Sequence, residues 1–298
     1  MPKQSSLSPR YYGRFAPSPT GFLHLGSLTA ALGSFLDARA NGGEWLLRIE
    51  DIDPPREMEE AKKIIPQQLE DHGLEWDGEV CFQSTRTKYY LEYLQELEKL
   101  GATYRCSCSR QQVREMGAIY NGHCLRKPPA KNAEAAFRLK IPGTYLWNDL
   151  IQGLKEFDAE ILGGDFVVHR KDGLFSYQLA VAVDDHLQGI TRVVRGADLI
   201  DSTARQGLVM QTLGWIPPEY AHLPMVMGQD GHKLSKQTHA PVLDSNKVVQ
   251  NLYKSLQILG LNPPKEALKA RKEELISWAI PTWNLSKVPR NTAVNPLC

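Results

Sequence analysis

The chain of 298 residues is too long for most single cores and short for three, which predicts a main domain of moderate size with one or two appendages. Its 35 Lys and Arg nearly cancel its 34 Asp and Glu, for a formal net charge of +1. A nucleic-acid partner must then be met by a local basic patch, which argues against a general DNA-coating role. MPKQSSLSPR lacks the apolar core of a secretion signal, and no later apolar run approaches the roughly 20 residues that cross a bilayer, so we expect a soluble, cytoplasmic protein with no membrane partner.

A short run, YGRFA from Tyr12 to Ala16, is a strand that breaks at Pro17. Leu25, Leu28, Ala31, Leu32, Phe35 and Leu36 then recur at helical spacing until Asn41-Gly42-Gly43, an expected C-terminal stop. EWLLRIEDID reads as a buried strand running into acidic residues, followed by a charged helix from about Glu57 to Asp71. Strand, helix, strand, helix, with crossovers long enough for parallel pairing, points to a doubly wound α/β sheet. Between about Tyr104 and Asp185 the rhythm breaks into a cysteine cluster, a polar loop and short strand-like runs such as FRLKI and DFVVHR, an α+β insertion that splits the sheet. Alternation resumes with TRVVRG as a strand, a helix carrying STARQGLVMQTLG that Asp198 or Asp201 can cap, and HLPMVMGQDGHKLSK as a strand leading to an exposed basic loop. From about Leu243 the signal is helical, in VVQNLYKSLQILG and KEALKARKEELISWAI, before a tail rich in proline and asparagine. The expected units are residues 1–103, 104–185, 186–240 and 241–298.

The run RFAPSPTGFLHLGSLTAAL, Arg14 to Leu32, starts a helix just beyond a glycine-containing turn, where unpaired N–H groups and the positive end of the dipole favour an anion. His24 would face that anion. Neither GxGxxG nor GxxxxGK[ST] is present, so the commoner phosphate-binding fingerprints do not apply. Far downstream, GQDGHKLSKQ sets Lys233 and Lys236 in a glycine-flanked loop, which alone would read as a solvated turn.

PSPTGFLHLG and KLSK, in that order and separated by an insertion, together resemble the HIGH-like and KMSKS-like signatures of class I aminoacyl-tRNA synthetases. The resemblance runs from about Arg14 to Lys236 and departs at Ser27, where the first signature often has a second histidine. It implies a Rossmann-type catalytic domain in which an already ionised amino-acid carboxylate attacks the α-phosphorus of ATP, so that stabilising phosphoryl charge matters more than a strong base. His24, Gly26, Lys233 and Lys236 would then bind the nucleotide, with His24 and the lysines catalytic and magnesium on the phosphates. The run RFAPS with Arg14, Ala16 and Ser18, Glu50 in RIEDID, Tyr177 in FSYQLAVAVDDH and Arg195 in RVVRGAD is similar to the glutamate pocket of glutamyl-tRNA synthetases. Arg14 and Arg195 would be cationic forks for substrate carboxylate, Ser18 and Tyr177 neutral hydrogen-bonding groups, and Glu50 the partner of the substrate ammonium. Asp184 and Asp185 read as scaffold.

Of five cysteines, Cys106, Cys108 and Cys124 cluster, which argues for one structural zinc over a disulfide framework. Spacing alone favours His123 as fourth ligand, although adjacent His123 and Cys124 would struggle to aim at one centre. The pattern C-x-C then Y-x-x-x-C is similar to that of a shortened glutamyl-synthetase paralogue, which implies Tyr120 instead. Only about sixty residues follow KLSK, enough for a helical stub and not for the large anticodon-binding region of the full-length enzymes. An activation site without that region resembles the shortened paralogue, and the resemblance implies transfer of L-glutamate to the queuosine base in the anticodon stem-loop of tRNA(Asp); the small size and the lack of an apolar interface stripe lead us to expect a monomer. The competing expectations are a minimal synthetase charging a tRNA 3′ end, a small-molecule nucleotidyl-transfer ligase of the same superfamily, and a non-catalytic RNA-binding module.

Overall fold

In the computed structural model, residues 10–117, 119–227, 241–291 and 293–294 are described. The first strand, β1 (Tyr12–Phe15), is followed by helix α1 (Leu25–Ala40) and strand β2 (Glu44–Ile49). The return through α1 lets β1 and β2 pair in parallel, Tyr12 opposite Glu44 and Phe15 opposite Leu47. Helix α1 ends where expected. Asn41 is its C-cap and Gly42 follows at φ 63°, the left-handed conformation that glycine adopts without a Cβ clash. A 3-10 turn at Pro54–Arg56 precedes helix α2 (Glu59–Asp71), two residues later than its charge pattern suggests, because the proline pair holds the chain in the tighter turn.

Strand β3 (Cys81–Phe82) extends the parallel sheet beyond β2, giving the order β1-β2-β3, and helix α3 (Thr87–Lys99) follows. The middle of the chain holds β4 (Thr103–Cys106), α4 (Arg110–Glu115), α5 (His123–Arg126), β5 (Ala136–Leu139), β6 (Tyr145–Asp149), β7 (Gly153–Phe157) and β8 (Phe166–His169). These strands pair antiparallel, as a β4-β5-β8 sheet and a β6-β7 hairpin, and FRLKI and DFVVHR supply β5 and β8.

Helix α6 (Tyr177–Leu187) leads to β9 (Arg192–Gly196), α7 (Ile200–Thr212), β10 (Glu219–Leu223) and β11 (Met225–Val226). Strands β9 and β10 pair in parallel, and the Thr191 amide donates to Tyr12 O at 3.0 Å while Tyr12 N donates to Thr191 Oγ1 at 2.9 Å, which brings this pair alongside β1. Neither Asp198 nor Asp201 is the N-cap of α7. The helix continues from a 3-10 turn at Ala197–Leu199, so Leu199 holds the cap position, and Asp201 sits in the first turn where its charge still complements the dipole.

The C-terminal segment forms α8 (Val248–Ile258), a 3-10 turn at Lys265–Lys269, α9 (Lys272–Thr282) and a two-residue strand β12 (Ala293–Val294). The pattern KEALKARKEELISWAI is thus broken at Ala270, whose extended backbone separates the turn from the helix. Leu252 and Leu256 of α8, with Leu275 and Ala279 of α9, pack with α1 and Trp45 of β2 into one core. Covered on both sides, α1 is apolar or small almost all round, and its Asp37 is buried only because Tyr11, Arg192 and Trp283 bond it. A second core joins α3, α6 and α7 to Leu139 and Val168. Strand β12 pairs in parallel with β11.

Candidate active site and cysteine cluster

A cavity of about 430 Å³ opens beyond the carboxyl ends of β1 and β9, the usual place for a ligand in a parallel α/β sheet. Arg14, Ala16, Ser18, His24, Gly26, Glu50, Tyr177 and Arg195 all line it, drawn from segments up to 181 residues apart in sequence. Lys233 and Lys236 lie outside the described residues.

His24 is the N-cap of α1. Its Nδ1 accepts the amide hydrogens of Gly26 at 3.1 Å and Ser27 at 3.3 Å, while the Ser27 hydroxyl accepts from His24 N at 2.8 Å, a reciprocal capping box. The first-turn amides that would hold an anion are therefore given to the imidazole. With Nδ1 an acceptor, the imidazole N–H lies on Nε2.

One wall of the cavity rests on a buried lattice of opposite charges. Arg14 donates from Nε and Nη2 to Asp185 Oδ1 and Oδ2 at 3.2 and 3.0 Å. Arg48, wholly buried, reaches Asp185 at 2.8 Å, Glu50 at 3.4 Å and the Gln188 side-chain oxygen at 2.7 Å. Burial works against the Asp185 anion, but Arg14 and Arg48 together hold its carboxyl down to about 2. Burial dominates at Glu50, whose carboxyl is pushed up to about 7 against the pull of Arg48 and Arg14. Burial also lifts the Tyr177 phenol to about 12, so it is a neutral hydrogen-bonding group. Arg195 donates from Nη2 to Thr203 Oγ1 at 2.7 Å and to Gln206 Oε1 at 2.8 Å, and its buried Nη1 has no partner.

Asp185 therefore does more than brace the fold, since it sets the direction of Arg14. Asp184, by contrast, is spent on Gln83, Arg86 and Tyr90. Arg48 escaped the sequence reading although it had a signal, a lone cation two residues before Glu50 inside an apolar strand. His222 and Asp149, bonded to each other at 2.5 Å behind Arg195, had none, because 73 residues separate them.

The second candidate is in the insertion. The sulfurs of Cys106, Cys108 and Cys124 all lie within 4.8 Å of one another, near the spacing of about 3.8 Å that thiolates keep around a tetrahedral zinc at 2.3 Å. The Tyr120 hydroxyl is 3.4 Å from Cys106 Sγ and accepts the Cys124 amide hydrogen at 2.8 Å. His123 is exposed while Cys124 beside it is buried, so the two do not converge. Gly164 makes room for Tyr120: at φ 82° its missing Cβ would fall 2.2 Å from Tyr120 O. Arg138 donates to Cys106 Sγ at 3.2 Å and lies over the Tyr120 ring. Four donors on a short span, three of them soft sulfur, fit a closed structural metal site. Among the described residues, no helix is long and apolar enough to cross a membrane.

The family model for the catalytic domain of class I tRNA synthetases (E and Q) matches residues 12–277. The chain is 47% identical over 288 residues to the Glutamyl-Q tRNA(Asp) synthetase of Shigella flexneri, spanning 96% of this chain and 93% of that protein. It is 48% identical over 289 residues to the Glutamyl-Q tRNA(Asp) synthetase of Cronobacter sakazakii, spanning 96% of each. Among solved structures it is similar to a glutamate tRNA ligase of Elizabethkingia meningosepticum in complex with its amino acid, with TM-score 0.80, 26% identity and coverage of 96% of this chain and 67% of that one. The glutamate-tRNA synthetase of Elizabethkingia anophelis gives TM-score 0.81 at 25% identity, over 96% of this chain and 68% of that one.

Proposed function

The chain belongs to the class I tRNA synthetases of the E and Q type, and from that premise we propose that it activates L-glutamate with ATP and transfers it to the queuosine base in the anticodon of tRNA(Asp). The observation that supports this most is the convergence of Arg14, Glu50, Tyr177 and Arg195 with His24 on one cavity, in a chain that matches Glutamyl-Q tRNA(Asp) synthetases along nearly its whole length.

In the first step a carboxylate oxygen of glutamate forms a bond to the α-phosphorus of ATP, and the bond from that phosphorus to the bridging oxygen breaks, releasing pyrophosphate. The nucleophile is already an anion, so no residue needs to remove a proton. Arg14 and Arg195 hold substrate carboxylate, ionised Glu50 holds the ammonium, Ser18 and Tyr177 add neutral hydrogen bonds, and Ala16 leaves room for the chain. His24 Nε2–H and Gly26 serve the nucleotide, and Lys233 and Lys236 the departing pyrophosphate. Magnesium, when bound, neutralises phosphate charge. In the second step a hydroxyl oxygen of the queuosine cyclopentenediol bonds to the adenylate carbonyl carbon, the bond from that carbon to the phosphate oxygen breaks, AMP leaves, and the hydroxyl proton passes to the departing phosphate or to water.

Residues 1–103 and 186–240 form the two halves of one split, doubly wound catalytic sheet. The unit 104–185 is the acceptor-contacting insertion, where Cys106, Cys108, Tyr120 and Cys124 hold one structural zinc, and 241–298 is a helical stub. On this reading the protein works as a monomer in the cytoplasm and meets the anticodon stem-loop of tRNA(Asp) along the insertion. Radiolabelled glutamate offered with tRNA from cells that do or do not make queuosine tests the assignment. Label should enter only queuosine-bearing tRNA, whereas equal labelling of both would establish charging of a 3′ end instead.

A further inference from the structure

Two arginines face the cavity, and they are held in opposite electrostatic ways. Arg14 shares Asp185, so its charge is already matched. Arg195, 5% exposed, rests on neutral acceptors, namely Thr203 Oγ1, Gln206 Oε1 and more distantly Leu199 O, with His222 Nε2 at 3.4 Å from its Nε and nothing on Nη1. Among the described residues no carboxylate bonds it. Glu50, of opposite charge, acts on it through space without a hydrogen bond, so a buried guanidinium held by neutral acceptors gains when an anion arrives to bond it.

What holds this cation begins in a different part of the chain. Asp149, at the end of β6, accepts the backbone amides of Ile151, Gln152 and His222 on Oδ1, and His222 Nδ1 on Oδ2 at 2.5 Å. A contact that short needs a proton between the atoms, and a carboxylate so fully bonded leaves it on the imidazole. Nε2 must then be an acceptor, since an added proton would point at the Arg195 Nε–H. The Thr203 hydroxyl, 2.9 Å away, supplies the hydrogen bond and turns its oxygen to Arg195 Nη2. Leu199 O is a more distant acceptor at 3.1 Å. Asp149, His222 and Thr203 are all at most 2% exposed, so water does not compete.

Resting on the functional reading above, we propose that Asp149, His222 and Thr203 form a buried positioning relay that fixes the Arg195 guanidinium for a substrate carboxylate and so sets the preference for glutamate over its amide. Without the hydroxyl, Arg195 Nη2 and His222 Nε2 both lose a partner, and the fork is held on that side chiefly by Gln206. A carboxylate loses more from this than an amide, because its bonds to arginine are charge-assisted. None of the three relay residues lines the cavity.

The test uses the full chain in glutamate-dependent ATP–pyrophosphate exchange, with Thr203→Val as the isosteric loss and Thr203→Ser as the conservative return. T203V should raise KM for glutamate on the order of tenfold, leave KM for ATP within about twofold, and lower the glutamate-to-glutamine ratio of kcat/KM by a similar factor. T203S should restore all three to near the parent values. An unchanged KM for glutamate, an equal rise in both KM values, or T203S behaving as T203V overturns the relay. If the parent chain shows no glutamate-dependent exchange, the functional reading fails first and the relay with it.

Discussion

Glutamate binding should strengthen by about tenfold between pH 6 and pH 8, and Glu50 should be the reason. Its carboxyl is pushed up to about 7, by burial first, and it can receive the substrate ammonium only when ionised. A group with that pKa is ionised in roughly one molecule in eleven at pH 6 and ten in eleven at pH 8, and since affinity scales with the competent fraction the ratio is about ten, or about 1.4 kcal/mol. The carboxylates of free glutamate titrate well below this window and its ammonium well above it. Isothermal titration calorimetry at pH 6, 7 and 8 in two buffers of different ionisation enthalpy reads both the affinity and the proton released, close to one per glutamate at pH 6. Glu50→Gln, which resembles the protonated acid, should bind weakly at every pH with no slope and no proton. A flat profile in the parent protein would refute the reasoning, and a slope surviving in E50Q would assign the proton to another group.

Asp185→Asn removes the carboxylate that bonds both Arg14 and Arg48. With two buried cations left against Glu50, urea unfolding should show a loss of about 3 kcal/mol or more, and a loss under 1 kcal/mol would show that the lattice relaxes. The same carboxyl governs acid stability. Held from 3.8 down to about 2 in the folded protein, it contributes about 2 kcal/mol that is fully present above pH 4 and disappears as the pH falls through about 2. D185N should therefore lose this part of the acid-unfolding profile while keeping the rest. Cys106→Ala should purify with less than stoichiometric zinc by elemental analysis and with reduced proteolytic resistance confined to residues 103–169, and full zinc occupancy would remove Cys106 from the ligand set.

Much of the catalytic framework is legible because it is local. Strand β1, helix α1 and its Asn-Gly stop, and strand β2 each follow from period and turn chemistry within a dozen residues. The cysteine cluster is legible for the same reason, with all of its donors between Cys106 and Cys124. What the pattern does not carry is orientation. That Asp185 turns Arg14, that Arg48 sits between Asp185 and Glu50, and that His222 bonds Asp149 all depend on the tertiary fold bringing helix α6 and the β6–β7 hairpin against the parallel strands, which leaves no periodic trace. The capping of α7 fails for a related cause. A 3-10 turn feeding directly into a helix consumes the position where an aspartate would otherwise cap it.

One ring at position 24 stoppers a helix, lines the cavity and, on the proposed function, meets the nucleotide. Lysine or arginine there could match a phosphate's charge but would leave the amides of Gly26 and Ser27 bare, and asparagine could stopper the helix but would fall short of the cavity. Folding and chemistry thus draw on a single heterocycle, so directed evolution for robustness and directed evolution for turnover should both return histidine at this codon.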